Sequence, residues 1–325
     1  MANFTGHAIF EAELRIKKNA QMVWSTAHPL LTAVVTGKAN FNPGFEIAPS
    51  DGTVIVPLNY SDDNAPADGR ATADMFTVNT IGVTTGFDHA KYTMSRYEKR
   101  VGVRADEAKL IREGQRMSLL PNRAAQTVES FKVAISGDMA ASATASITAV
   151  LGLPYGLSTA NSPGGLDQGA NAWWRARVTS AIGGFSEQPF KDALDIVRTR
   201  GQGDPDMLGL SIASGANVFG RMRDVAPTQL ATSPSDEIKF GFKGFSWMGC
   251  YCVADNYLGA AASGTAYMLF TNRFYAGGDD APKNVDGQGM TRIVGTGSFE
   301  MFYEWWLWWG CDDWNLQSYF TGIVA

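Results

Sequence analysis

Three short runs decide how this chain is read: Gly152-Leu153-Pro154-Tyr155-Gly156, then Gly164-Gly165-Leu166-Asp167, then Trp173-Trp174-Arg175. Glycine and proline punctuate the first two runs as successive turns. The paired tryptophans that follow are large apolar anchors, the kind of side chain that dominates buried area in cores and interfaces. A turn-rich passage closing on Trp173 and Trp174 marks the opening of a second domain near Leu151, with both rings as packing anchors.

Downstream, the apolar spacing predicts a helix starting at Ser186, a good N-cap, with Phe190, Ala193, Leu194 and Val197 on one face. Arg198 and Arg200 fall in its last turn and Gly201 stops it. Leu208 to Ile212 reads as a short strand. A further helix over 214–225 buries Val218, Phe219, Met222 and Val225. Strands dominate the rest: Lys239 to Phe242, Cys250 to Ala254, Ala266 to Phe270, and Ser298 to Trp309. Helices and strands in this order give an α+β chain, and no repeat of 20–50 residues is present.

Upstream, Leu120, Ala124, Val128, Phe131 and Ile135 form one apolar stripe, so a helix is expected over 121–139. Pro121 suits its first turn and Gly137 marks its end. The small, polar residues 140–149 read as a connector. Before that helix, strand-like runs at Val54 to Tyr60, Phe76 to Val78 and Lys91 to Val103 flank a loop signal from Ser61 to Gly69. Together they describe a two-armed β excursion with a polar tip. A lone hairpin is marginal in water, so the ribbon, with Val54, Val56, Val78, Tyr97 and Val101 on its arms, is expected to need an outside surface. Asp62, Asp63, Asp68 and Arg70 near the tip, with Glu98 and Arg100 on the returning arm, are the candidate inter-subunit contacts.

Composition narrows the function. The chain has 325 residues, 45% hydrophobic and only 18% charged, with 35 glycines and nine tryptophans. A low charge fraction with that much tryptophan suggests surface destined for other protein. The net charge of −5 and the lack of a basic run disfavour a protein that neutralises phosphates. They are compatible with a container whose wall does not grip its contents. No stretch approaches the roughly 20 apolar residues of a membrane span, and Met1 to Phe10 lacks the pattern of a signal peptide. Three cysteines, Cys250, Cys252 and Cys311, read as reduced thiols in a cytoplasmic setting.

Chemistry-bearing motifs are missing. His7, His28 and His89 lie far in sequence from every cysteine, without zinc spacing. Cys250 and Cys252 share a strand face, where a mutual disulfide would be strained, and read as buried thiols. Ile212-Ala213-Ser214-Gly215 lacks the first glycine of a nucleophile elbow, and Thr36-Gly37-Lys38-Ala39 is not a phosphate loop. No catalytic residue, metal or cofactor is expected. The most suggestive cluster runs from Glu304 to Trp314, with five tryptophans and the carboxylates Glu304, Asp312 and Asp313. Strand alternation puts Trp306 and Trp308 on one face and Trp305 and Trp309 on the other. Rings on both faces favour a strand buried on both sides over a sugar cleft with an acid and a base.

The runs at 152–156, 164–167 and 173–175 resemble tailed-phage major capsid proteins of the Hong Kong 97 type. That family shows a Gly-Leu turn, a Gly-Gly-(Ile or Leu)-Asp element and a Trp-Trp-Arg start to the next strand. Gly249-Cys250-Tyr251-Cys252-Val253-Ala254-Asp255 is similar to a later strand that ends in aspartate, and the order of elements fits over most of the chain. The resemblance implies a Hong Kong 97-like capsid fold with an extended β-hairpin loop, a long spine helix, and peripheral and axial domains. On that plan residues 1–50 are an N-terminal arm, 51–104 the extended β loop, and 105–150 the spine helix and peripheral region. Residues 151–325 are then the axial domain plus returning peripheral strands. The Trp-rich segment 305–314 is more aromatic than the family's last strands, and no long charged N-terminal segment is present to act as a built-in scaffold.

The implied function is a major capsid protein that self-assembles, as pentamers and hexamers, into the icosahedral shell around a tailed phage's double-stranded DNA. Its partners would be further copies of itself, a portal protein, and a separate scaffolding or decoration protein. DNA would be enclosed without sequence-specific binding, and no membrane is involved. The protein would belong to the virion and assemble in the host cytoplasm. An encapsulin-like compartment shell is the first alternative, and a carbohydrate-binding or carbohydrate-active β-rich protein the second.

Overall fold

The computed structural model describes residues 40–41, 52–59, 87–104, 119–180, 182–200, 210–214, 216–225, 245–255, 257, 264–279, 282–285, 291–292 and 298–324. In chain order these hold β1 (Asn40–Phe41), β2 (Thr53–Asn59), β3 (Phe87–Thr93), β4 (Ser95–Val103), α1 (Leu119–Ala140) and α2 (Leu153–Gly156). Next come β5 (Arg177–Thr179), β6 (Gly183–Gly184), α3 (Gln188–Arg200), β7 (Leu210–Ser214) and α4 (Ala216–Val225). The remainder is β8 (Phe245–Trp247), β9 (Cys250–Ala254), β10 (Gly264–Phe270), β11 (Phe274–Gly278), β12 (Lys283–Asn284), β13 (Thr291–Arg292), β14 (Phe299–Cys311) and β15 (Ser318–Val324).

The long strand β14 organises a six-stranded sheet. β4 runs antiparallel along one side of it, from Val103 opposite Phe299 to Ser95 opposite Leu307. On the other side β13, β12 and β11 follow one another, and β1 lies parallel on β11. A seven-stranded sheet takes the order β5-β15-β10-β7-β9-β8, with β6 also on β15. β2 and β3 make a separate antiparallel pair.

Two cores follow from these layers. In the first, Val128, Phe131, Ile135 and Met139 of α1 face Tyr97, Val101 and Val103 of β4 and Met301, Tyr303, Trp305 and Leu307 of β14. In the second, Phe190, Leu194 and Val197 of α3 and Val218 and Met222 of α4 pack with Ile212, Cys250, Cys252, Met268 and Phe320. The alternate residues of the same strands, Ala213, Val253, Tyr267 and Leu269, belong to the first core. Successive strand side chains point to opposite faces, so the seven-stranded sheet is the wall between the cores.

The helical period holds where it was legible. α3 buries the four residues of its predicted face, and the hydroxyl of Ser186 accepts from the Gln188 N–H at 3.4 Å. α1 buries Val128, Phe131 and Ile135 of its stripe but runs through Gly137 to Ala140, and Lys132, four residues after Val128, is fully buried on it. The strand expected from Leu208 is described as Leu210–Ser214, and the helix after it starts at Ala216. The expected extended segments Phe76 to Val78 and Lys239 to Phe242, and the loop Ser61 to Gly69, lie outside the described residues.

The two-armed excursion is corrected. Its returning arm divides at Met94: Phe87–Thr93 pairs with β2, whereas Ser95–Val103 leaves the ribbon for β14. Tyr97 and Val101 are therefore sheet residues, and Val54 and Val56 are buried on their own chain instead of awaiting an outside surface. One contact that holds the ribbon is at Gly164. That residue has φ +66°, and a Cβ there would come within 2.7 Å of Ala90 Cβ. Only glycine combines that backbone conformation with that approach.

Trp174 lies in the turns before β5, fully buried, with its Nε1–H donated to the Pro163 carbonyl at 3.1 Å. Trp173, its ring centroid 5.5 Å away, is half-buried. Trp174→Ala is expected to lower unfolding stability by ~3–5 kcal/mol, and Trp173→Ala by clearly less. Denaturant unfolding of both variants checks this, and equal losses would contradict the difference in burial.

Candidate functional site

β14 alternates along its length, and the alternation decides what the tryptophan cluster does. Met301, Tyr303, Trp305, Leu307 and Trp309 point into the first core and are at most 1% exposed. Trp305 meets Phe131 edge-on at 6.3 Å, and its Nε1–H donates to the Asp279 carbonyl at 2.7 Å. Trp309 donates to the Leu151 carbonyl at 2.7 Å and packs with Phe274 and Trp314. On the opposite face Trp308 is buried beneath Tyr92, at 6.1 Å, whereas Trp306 is half-buried. The strand is thus covered on both faces near its C-terminal end only, not throughout.

The hydroxyl of Tyr92 is the densest polar junction there. It donates to the Cys311 carbonyl at 2.6 Å and accepts from the Cys311 N–H at 3.1 Å and the Trp314 Nε1–H at 3.2 Å. Burial pushes its pKa well above that of an ordinary phenol, so it stays a neutral donor and acceptor. Gly310 lies under the Tyr92 ring, where a Cβ would meet it at 2.4 Å. One hydroxyl thereby joins β3, the end of β14 and the turn leading to β15. The sequence carries no signal of this, because the partners are 219 and 222 residues apart.

Beyond Trp308, the same face of β14 is more open. Arg96 bridges Glu98 and Glu304, each at 2.8 Å, and its guanidinium sits 5.3 Å above the Trp306 ring. Arg100 lies 5.0 Å above the Phe302 ring and 4.0 Å from Glu300. Glu98 and Arg100, expected to cross to another subunit, make these contacts within the chain. Asp62, Asp63, Asp68 and Arg70 lie outside the described residues. Alternating signs across neighbouring strands stabilise the pairing modestly and leave a face with aromatic rings between charges.

Glu304 does not converge with Asp312 and Asp313. Glu304 sits midway along β14 and Asp312 just past its end, eight residues or roughly 25 Å at the rise of an extended strand. Paired glycosidase carboxyls stand about 5–9.5 Å apart. Trp305, Trp309 and Trp314 are fully buried, so their faces offer no sugar platform. Asp312 takes the Tyr275 hydroxyl at 3.0 Å and Arg273 at 3.5 Å. Burial pushes the thiols up, Cys250 to about 12 and Cys252 higher still, which describes inert core cysteines. Burial also brings Lys132 down to about 8, with Glu129 opposing. Its spacing of four from Val128 is the one cue the sequence held for that position. Among the described residues no three His, Cys, Asp or Glu side chains are grouped to hold a metal ion, and no helix is long and apolar enough to cross a membrane.

No family model and no curated protein matches the sequence. Solved structures match the fold. The cyanophage A-1(L) capsid asymmetric unit does so with TM-score 0.66 and 13% identity, over 92% of this chain and 93% of that one. The capsid of a native GTA particle gives TM-score 0.56 and 13% identity, over 90% and 91%. The holo-SrpI encapsulin complex from Synechococcus elongatus PCC 7942 gives 0.55 and 10%, over 89% and 88%. The class is therefore one of fold: this chain is similar in fold to those capsid and encapsulin chains over about nine-tenths of its length, at 10–13% identity.

Tyr92→Phe keeps the ring and removes the junction. It leaves the Cys311 N–H and the Trp314 Nε1–H without that acceptor, and a buried donor left unpaired costs about 1–3 kcal/mol. Denaturant unfolding is expected to show a loss of that size. An unchanged midpoint would mean the hydroxyl network is dispensable.

Proposed function

We propose that this chain is the major capsid protein of a tailed bacteriophage, self-assembling as pentamers and hexamers into an icosahedral shell around double-stranded DNA. The observation that carries the reading is the two-way coverage: capsid chains match about nine-tenths of this chain, and it matches about nine-tenths of theirs. Fold alone does not fix function, but the dispersed carboxylates and buried thiols give no competing chemistry.

On this reading α1 is the spine helix, and the seven-stranded sheet with α3 and α4 is the axial domain. The six-stranded sheet is the peripheral domain, to which β14 returns after the axial domain is complete. Residues 1–50 are the arm, and β2 and β3 are the base of a loop whose span, 60–86, reaches an adjoining subunit. Asp62, Asp63, Asp68 and Arg70 then set register between subunits, since exposed ion pairs are worth only about 0–1 kcal/mol each. Many modest contacts summed over a closed shell supply the strength. A portal protein and a scaffolding or decoration protein are the further partners, and the assembled protein resides in the virion after assembly in the host cytoplasm. The encapsulin match at TM-score 0.55 favours a compartment shell as the second reading.

Negative-stain electron microscopy of the purified full-length chain tests the proposal. Closed particles that package double-stranded DNA when the chain is produced with its genomic neighbours support it, and particles loaded with an enzyme support the compartment instead. A chain that stays monomeric at all concentrations overturns both. Replacing residues 59–70 by a short Gly-Ser turn is expected to leave far-UV circular dichroism nearly unchanged and to abolish closed shells. Normal particles from that variant would remove the loop from the assembly mechanism.

A further inference from the structure

Two adjacent carboxylates occupy the joint between the two sheets. β14 ends at Cys311 and β15 begins at Ser318, with one tight turn, Trp314–Leu316, between them. Trp314, Leu316 and Gln317 are buried there. The Asp312 N–H donates to the Arg273 carbonyl at 3.1 Å. Asp312 Oδ2 accepts from the Tyr275 hydroxyl at 3.0 Å and lies 3.5 Å from the Arg273 guanidinium, while Oδ1 is buried and meets no hydrogen-bond donor. Asp313 Oδ1 accepts from the Asn315 N–H at 3.0 Å, and its carbonyl accepts from Gln317 Nε2 at 3.3 Å, so Asp313 caps the turn that links the sheets.

The facing groups leave the pair short of positive charge. Tyr275 of β11, Cys311 of β14 and Tyr92 of β3 are all held neutral by burial. Arg273, just before β11, is the cation that reaches Asp312. Arg177 of β5 is directed at the carbonyl and side-chain oxygens of Asn315, at 3.0 and 3.2 Å, on the turn itself. Among the described residues Arg273 is the one cation within 4.0 Å of either carboxylate, and it reaches Asp312, whose Oδ1 has no donor. Like charges so placed do not both ionise readily.

We propose that the Asp312–Asp313 pair is a proton-binding joint: it holds one proton at mildly acidic pH, and taking up that proton tightens the connection between the two sheets. Burial and then the charge of Asp312 raise Asp313 to about 6, against the opposing pull of Arg273 and the turn's N–H groups. Burial likewise raises Asp312, with Arg273 opposing. Asp313 binds its proton more tightly in the folded chain than in the unfolded one, where its pKa is near 3.8. Its contribution to stability is therefore fully present below about pH 4 and is lost as pH rises through about 6. This sign is the reverse of that of a salt-bridged carboxylate, which destabilises a fold on acidification. The proton leaves the Asn315 cap in place, because one oxygen of the neutral acid still accepts.

Asp313→Asn tests it, since the amide keeps an acceptor for the Asn315 N–H and cannot ionise. Equilibrium unfolding of the full chain and of this variant is measured from pH 4 to 8. The ratio of unfolding constants, wild type over variant, is expected to rise by up to about 100-fold across that range. Histidines and the carboxylates outside the pair are common to both proteins and cancel in the ratio, so what remains reports the coupled pair. A ratio that stays flat overturns the proposal. Should the variant not fold, an infrared titration of wild type with 13C-labelled aspartate decides. A protonated aspartic acid band with a midpoint near pH 6, moved down by Asp312→Asn, supports the joint. Full ionisation of all aspartates by pH 5 overturns it.

Discussion

Thirteen consecutive residues of β14, Phe299–Cys311, carry backbone donors and acceptors that need partners if the strand is to lie inside the molecule. β4 meets that need along one side for nine residues, and β13, β12 and β11 meet it in turn along the other. Segments from both ends of the chain are thereby drawn to one strand. Its alternation then fixes everything above and below: Trp305 and Trp309 beneath α1 and the 151 region, Trp308 beneath Tyr92, and the charged row outward. A shift of one residue would exchange the two faces, putting Glu304 against Phe131 and Trp305 among the arginines.

The two cores are joined by hydrogen bonds as much as by packing. Gln168 is fully buried and bridges the Gly156 carbonyl and the Ala176 N–H, closing the turns on either side of the Gly-Gly run. Gln317, also fully buried, does the same between Phe270 and the Asp313 turn. Buried amides of this kind are costly unless satisfied, and satisfied they admit one arrangement. The aromatic residues around them tolerate many packings. The amides and the Tyr92 hydroxyl select the one in which the sheets meet at the Trp314 turn.

The ribbon β2–β3 is clamped at its base on its own chain, through Ala90 on Gly164 and Tyr92 on Gly310. On the face with Arg96, Glu98, Arg100, Glu300 and Glu304 two guanidiniums meet three carboxylates, so the row carries no excess positive charge to hold a phosphate backbone.

The sequence by itself determined the elements whose evidence is local. A period of 3.6 residues sufficed for α1, α3 and α4, and the turn signals from Gly152 to Gly165 for the passage that closes on Trp174. The resemblance to capsid proteins rested on that same passage. Strand partnership was not legible in this way. Residues 91–103 read as one extended arm because both halves alternate, and nothing within them says that Met94 is where pairing passes from β2 to a strand 200 residues later. The cluster at Trp305 to Asp313 was likewise ambiguous between core and cleft, since a tryptophan and a carboxylate look the same in either. Only the tertiary structure decided these points. Pairing, burial and the pKa of a carboxylate depend on groups that sequence distance does not bring together, whereas periodicity depends on the nearest turn of the backbone alone.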